Sequence, residues 1–157
     1  MRVSTVSGRR GPKRVAAALT IAGTLLAGGV VSAQDASANT GGGGCRTSGW
    51  ASETLGISER PCAYGDGGYG VYGSHGYRNP NGVNILPCAQ LLRVNSNGST
   101  TQVADYGCGG WTTSTNFTFN TGAIGTQDGT YVVQAGYWVA NGGYVTGAQS
   151  ARVTVYG

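Results

Sequence analysis

Four cysteines, Cys45, Cys62, Cys88 and Cys108, constrain the folds open to this 157-residue chain more than any other feature. An even number of cysteines in an exported chain indicates disulfides, here two. Three pairings are possible, and we predict Cys45–Cys62 and Cys88–Cys108. A zinc site is the alternative, but the spacing lacks the close CxxC-type pairs that zinc sites use. Two cross-links would let a chain with 30 glycines hold a small folded domain.

The second pairing has a geometric reason. Segments 84–94 and 100–107 read as strands, and Asn97-Gly98 between them is a strong hairpin turn signal. A hairpin folded there places Cys88 nearly opposite Cys108, close enough for a bridge. In the chain-entropy model, closing loops of this length stabilises the fold by about 3 kcal/mol each.

The first 38 residues have the pattern of a secretory signal peptide. Five basic residues precede an apolar segment at 15–31, and two small-residue cleavage sites follow, ending at Ala33 and Ala38. A membrane anchor is the alternative, but the apolar run is short and rich in alanine and glycine. We therefore predict a secreted, extracellular chain cut after Ala38, with a flexible glycine-rich leader at 39–44 and a single domain at 45–157.

Removal of the signal peptide changes the net charge. From residue 39 onward the chain has five arginines and five carboxylates, so its formal charge is zero. The arginines are Arg46, Arg60, Arg78, Arg93 and Arg152, and the acids are Glu53, Glu59, Asp66, Asp105 and Asp128. No basic excess remains to attract nucleic acid or, after signal removal, a membrane surface.

Alternation of apolar and polar residues indicates β-strands in the C-terminal half. One face of segment 130–139 holds Tyr131, Val133, Ala135, Tyr137 and Val139, and the other face holds Gln134 and Trp138. A loop at 141–143 would pair Tyr131 with Val153 and Val133 with Ala151. Six or seven short strands, separated by NG, DG and GG turns, predict an all-β fold, an antiparallel β-sandwich.

The segment DGTYVVQA resembles the immunoglobulin-like superfamily. In that superfamily the next-to-last strand often opens with an acidic residue, a glycine and a tyrosine whose hydroxyl ties a corner, and Asp128, Gly129 and Tyr131 match this pattern. The superfamily's cysteine two places later would fall at Val133, so its usual inter-sheet disulfide is missing. The resemblance implies a fold and no function.

A second segment, GDGGYGVYGSHG, is similar to a stretch of the small secreted α-amylase inhibitors of the tendamistat family. Those proteins are also all-β with four cysteines, and their first cysteine loop carries an inhibitory Trp-Arg-Tyr. Here Trp50 is followed by Ala51 and Ser52. No inhibitory residue is carried over.

The residues from Tyr64 to Gly82 combine tyrosines, glycines and the chain's only histidine, His75. We interpret this stretch first as a loop, second as a binding surface and third as an active site. Tyrosine among small residues is typical of binding loops, although the same tyrosines could pack over one end of the sandwich. The core can take Trp50, Phe117, Phe119, Tyr131 and Tyr137. The aromatic residues that we predict to bind a ligand are Tyr69, Tyr72, Tyr77, Trp111 and Trp138.

Catalysis has little support in the sequence. His75 is expected to be an exposed loop residue, and the few acids precede glycines or flank short apolar runs. We predict no metal and no cofactor. The first hypothesis is a secreted, non-enzymatic binding module for an extracellular glycan or a secreted protein. The alternatives are an inhibitor of a secreted amylase or protease, and a small hydrolase that uses His75.

Overall fold

Two antiparallel β-sheets make up the part of the protein that the structure, a computed structural model, describes, residues 39–157. The predicted signal peptide, residues 1–38, lies outside the described residues. The first sheet has the strand order β1-β12-β10-β6-β7, and β11 also pairs with β10. Its strands are β1 (Asn39–Gly42), β6 (Ile85–Val94), β7 (Thr100–Cys108), β10 (Gly129–Val139), β11 (Tyr144–Gln149) and β12 (Val153–Tyr156).

The second sheet has the order β2-β4-β5-β8, with β3 paired to β4 and β9 paired to β5. Its strands are β2 (Gly44–Cys45), β3 (Ala51–Ser52), β4 (Ser58–Gly65), β5 (Gly70–Arg78), β8 (Asn116–Asn120) and β9 (Ile124–Gly125). A short 3₁₀ turn at Thr54–Gly56 joins β3 to β4. Among residues 39–157, no helix is long and apolar enough to cross a membrane.

The predicted all-β sandwich is confirmed, but the predicted number of strands is wrong. The structure has twelve strands where six or seven were predicted. Several of the additional strands are only two to four residues long, and their sequences show no alternation of apolar and polar residues. The leader predicted to be flexible, residues 39–44, instead forms β1 and the start of β2. Thr40 lies opposite Val155, so this segment extends the first sheet at its edge.

Both predicted disulfides are confirmed. Cys45–Cys62 joins β2 to β4, and Cys88–Cys108 joins β6 to β7. The partners of each bridge lie directly opposite each other in their strand pairs, and the predicted hairpin turn connects β6 to β7. Two disulfides indicate that the protein folds in an oxidising environment.

The core lies between the two sheets and follows the predicted alternation. Tyr131, Val133, Ala135 and Tyr137 are buried, whereas Trp138 on the opposite face is exposed. Tyr131 pairs with Val153, as predicted. The predicted pairing of Val133 with Ala151 is wrong by one residue. The strand is interrupted between β11 and β12, and there the Ser150 amide donates to the Val133 carbonyl.

The glycine–tyrosine stretch is not a loop. Its first residues complete β4, and residues 70–78 form the nine-residue strand β5, which pairs with β4, β8 and β9. Alternate side chains of β5 point into the sandwich, so His75 and Tyr77 are buried. The outward side chains of β5 form the centre of the second sheet's exposed face.

Candidate functional site

A groove of about 570 Å³ crosses the outer face of the second sheet. Its lining combines two arginines, four aromatic residues and several small polar side chains. We call it the arginine–aromatic groove; it is lined by Cys45, Trp50, Arg60, Cys62, Tyr64, Ser74, Gly76, Tyr77, Arg78, Asn116, Phe117 and Thr118.

Trp50 is the largest side chain of the groove, and the fold fixes it in two ways. The Cys45–Cys62 disulfide ties the segment that leads to Trp50 onto β4, and the Arg46 amide donates to the Pro61 carbonyl. The indole then lies against Gly76, where a Cβ would come within 3.0 Å of its Cη2 atom. Any larger residue at 76 would therefore push the indole away from the sheet. The prediction that Trp50 belongs to the core is wrong, because it packs on the outer face.

Arg78 stacks on a face of the indole. Its guanidinium carbon lies 4.1 Å from the Trp50 ring centroid, a cation–π contact. Arg60 lies directly opposite Gly76 in the β4–β5 pair, so it is the diagonal neighbour of Arg78. Diagonal neighbours of this kind have Cα atoms about 7–8 Å apart. Both arginines therefore line the same groove as Trp50, and the lining contains no carboxylate.

A second aromatic platform lies further along the same strands. Tyr64 and Tyr72 are directly opposite each other, and their ring centroids are 5.5 Å apart. Tyr64 is four residues from Arg60, about 13 Å along the strand at about 3.3 Å per residue. Between the two platforms lie the disulfide and Ser74, which pairs with Cys62. The face can therefore contact a ligand at two aromatic points about 13 Å apart along the strands.

The structure does not bring the five predicted binding residues together. Tyr72 lies on the outer face of the second sheet, beside Tyr64. Tyr69 and Trp111 are exposed at other points of the sandwich, with exposed fractions of 41% and 53%. Tyr77 is only 1% exposed, because its ring stacks on Phe117 and its hydroxyl donates to the Gly136 carbonyl.

Trp138, the fifth predicted binding residue, lies on the outer face of the first sheet. Its ring centroid is 5.4 Å from that of Tyr144, and the two line a depression of about 230 Å³ together with Gln90, Asp105 and the Cys88–Cys108 bridge. This depression and the arginine–aromatic groove are on opposite faces of the sandwich and cannot contact one small ligand together.

His75 is not the exposed loop residue that the sequence predicts. Its side chain is fully buried on β5, where a Cβ at Gly73 would collide with the imidazole, and its ring centroid is 6.2 Å from that of Phe119. Neither ring nitrogen has a hydrogen-bond partner, and burial lowers the pKa of His75 to about 4. A ring in this position cannot reach a substrate at the surface.

Glu59 is a second buried titratable group, and no sequence pattern marks it as a site residue. Its Oε1 atom accepts a hydrogen bond from the Ala148 amide of the first sheet, whereas Oε2 has no partner. The carboxylate occupies the space beside Gly147, where any Cβ would collide with it. Burial raises the pKa of Glu59 to about 7, although the Ala148 hydrogen bond opposes this shift. Glu59 therefore connects the two sheets from inside the core.

The residues of the groove that the sequence analysis missed are Trp50, Arg60, Tyr64 and Arg78. A usable signal was present in ERPCAYG, where Arg60, Cys62 and Tyr64 alternate with buried Glu59, Pro61 and Ala63. Within residues 39–157, no group of three or more His, Cys, Asp or Glu side chains is placed to hold a metal ion. Compared with protein-family models and with curated proteins, the sequence matches no family and no curated relative.

Proposed function

We propose that this protein is a secreted, non-enzymatic binding module that holds a glycan on its arginine–aromatic groove. The observation that carries the proposal is the half-buried Trp50 indole, held against Gly76 and stacked with Arg78 on the outer face of the sheet, with the Tyr64–Tyr72 pair further along the same face. Rigid aromatic rings offer large contact areas at a low entropic cost, and their flat faces suit the C–H faces of sugar rings.

The polar lining supports a glycan more than an apolar ligand. Asn116, Thr118 and Ser74 line the groove with amide and hydroxyl groups that can both donate and accept hydrogen bonds. Sugar hydroxyls need partners of this kind. A groove that alternates aromatic surface with such groups can hold several sugar rings in one orientation.

The two alternative functions lose the features on which they depended. An inhibitor was expected to insert an aromatic loop into an enzyme's cleft, but the glycine–tyrosine stretch is mostly the sheet strand β5. A hydrolase was expected to use His75, whose ring is fully buried. A binding module needs neither feature.

The immunoglobulin-like relationship is also a proposal. It is supported by the Tyr131 hydroxyl, which donates to the Gln127 carbonyl four residues upstream, as the resemblance implies for a corner tyrosine. It carries no information on the ligand.

The test of the groove uses two matched tryptophan variants. Trp50→Ala should weaken binding to a retained polysaccharide by about 10- to 100-fold, since a central aromatic contact is worth about 1.4–2.8 kcal/mol. Trp138→Ala removes an exposed tryptophan from the opposite face and should change the affinity less than about twofold. Affinity electrophoresis against a panel of neutral and acidic polysaccharides measures both.

Two outcomes would contradict this proposal. If no polysaccharide of the panel retards the wild-type protein, the ligand is not a glycan. If Trp138→Ala weakens binding and Trp50→Ala does not, a glycan binds the first sheet and the groove is not the site.

A further inference from the structure

We infer that the glycan held by the groove is acidic and that its carboxylates bind Arg60 and Arg78. This inference rests on the proposed function and specifies the class of sugar. Arg60 and Arg78 are diagonal neighbours in the β4–β5 pair, and both line a groove whose lining has no acid to pair with them.

The unused hydrogen-bonding capacity of these two arginines is the main evidence. Two of the other three described arginines have local acceptors: Arg93 Nη2 donates to the Asp128 carbonyl at 2.9 Å, and Arg46 Nη1 donates to the Gly49 carbonyl at 3.3 Å. Within residues 39–157, Arg152 donates no side-chain hydrogen bond to the protein, but it lies outside the groove lining. Among the described residues, neither Arg60 nor Arg78 donates a side-chain hydrogen bond to the protein. Each guanidinium has five N–H donors, and both arginines are exposed in the groove, so these donors are available to a ligand bound there.

The stack on Trp50 prepares Arg78 for a planar anion. The indole covers one face of the guanidinium 4.1 Å away and leaves the N–H groups at its edge free. Carboxylates accept two parallel hydrogen bonds at such an edge, and charge-assisted pairs are about twice as strong as neutral ones. A neutral sugar would leave both positive charges without a partner.

The neutral overall charge makes this recognition local. With five arginines and five acids from residue 39 onward, the protein has no long-range attraction for polyanions. An acidic chain must therefore be recognised through the groove itself. A uronic acid chain repeats its carboxylates along its length, and two of them can reach two adjacent guanidiniums while the sugar faces contact the rings.

The test compares two probes that differ only in charge: a hexamer of galacturonic acid and the same hexamer with its carboxyls methyl-esterified. We expect calorimetry to give at least about tenfold tighter binding of the acid form, a preference that shrinks as salt is added. Arg60→Gln, Arg78→Gln and the double variant should lose this preference step by step while still binding the ester. Arg152→Gln removes an exposed arginine outside the groove lining and should keep it.

The outcomes separate this inference from the proposed function. Equal affinity for acid and ester overturns the carboxylate inference and leaves a neutral-glycan module. If a neutral polysaccharide binds through Trp50 and neither hexamer binds, the carboxylate inference is likewise overturned and the proposed function stands. Dextran sulfate and plain dextran test for sulfate recognition. If the protein binds dextran sulfate more tightly than the acid hexamer and does not bind plain dextran, the groove recognises sulfate and the carboxylate inference is overturned. If no glycan binds at all, the proposed function fails together with the inference.

Discussion

A Glu59→Gln variant should be more stable than the wild type at high pH and nearly equal to it at low pH. The expected change in relative stability between pH 4 and pH 9 is about 3 kcal/mol, because burial raises the pKa of Glu59 from 4.5 to about 7 and each unit is worth about 1.4 kcal/mol. The folded state then binds the extra proton between these two values. Stability from this group is therefore complete below pH 4.5 and is lost as the pH rises through 7.

The surroundings of Glu59 explain why glutamine should replace it well. The amide oxygen of glutamine can accept the Ala148 N–H bond that connects the two sheets. The other carboxylate oxygen has no partner to lose, and the loss of charge removes an unpaired anion from the core. The neighbouring hydroxyls of Tyr77, Tyr137 and Tyr144 stay neutral, since burial raises the pKa of each.

Urea unfolding at several pH values measures this effect, with Glu53→Gln as the matched control. Glu53 is the chain's only other glutamate and is less buried; burial raises its pKa, and the charge of Arg46 opposes this shift. Its replacement should leave most of the pH dependence in place. A Glu59→Gln profile parallel to that of the wild type from pH 4 to pH 9 would show that the carboxylate titrates normally.

The disulfides and the C-terminal strands could be predicted because their signals are local. Asn97-Gly98 fixes one hairpin turn, and with it the position of Cys88 opposite Cys108. The alternation from Tyr131 to Val139 is visible in the sequence because every inward position carries an apolar or aromatic side chain. Turn chemistry and period-two burial act over a few residues, so they can be read without the rest of the fold.

Strand β5 escaped prediction because glycine hides the alternation. Its inward positions include Gly73, and its outward positions include Gly76, so neither face reads as continuously apolar or polar. The missing volume comes from elsewhere in the fold: the His75 ring fills the space beside Gly73, and Trp50 covers Gly76. These contacts depend on tertiary packing, so a stretch of glycine and tyrosine looks like a loop until the partner residues are in place.

The candidate site was missed for a related reason. Neighbours along the chain group Tyr77 with Tyr72 as binding residues and leave Trp50 in the core. In the folded protein, two side chains come together when they lie on the same face of a sheet and at neighbouring positions of paired strands. Tyr72 and Tyr77 therefore fall on opposite faces, whereas Trp50 and Arg78 come together across 28 positions of sequence.

A His75→Leu variant should remove the loss of stability that His75 itself causes in mild acid. Burial lowers the pKa of His75 from 6.5 to about 4, so the unfolded chain binds the extra proton between these values. The wild type therefore loses about 3 kcal/mol of stability from this group as the pH falls from 7 to 4. Leucine has no charge to acquire, and at pH 7 it should match or exceed the wild type by about 1–2 kcal/mol, since both ring nitrogens lack partners.

His75 can be observed directly because it is the only histidine in the chain. Its imidazole proton resonances in the folded protein should stay constant from pH 8 down to about pH 5, whereas those of the unfolded chain in urea should shift near pH 6.5. A folded-state midpoint near 6.5 would contradict the burial of the ring. The same titration in Glu59→Gln serves as a control, because that change should not move the histidine resonances.

The two buried groups act in opposite directions, and this makes their joint effect the sharper test. Between about pH 4.5 and pH 6.5, Glu59 lowers stability as the pH rises and His75 raises it, each by about 1.4 kcal/mol per pH unit. The wild-type profile should therefore be nearly flat in this window. Glu59→Gln should rise with pH there, and His75→Leu should fall. The double variant should again be flat, because neither group is left to titrate. If Glu59→Gln stays flat, the pKa of His75 is not lowered by burial. If His75→Leu stays flat, the pKa of Glu59 is not raised by burial.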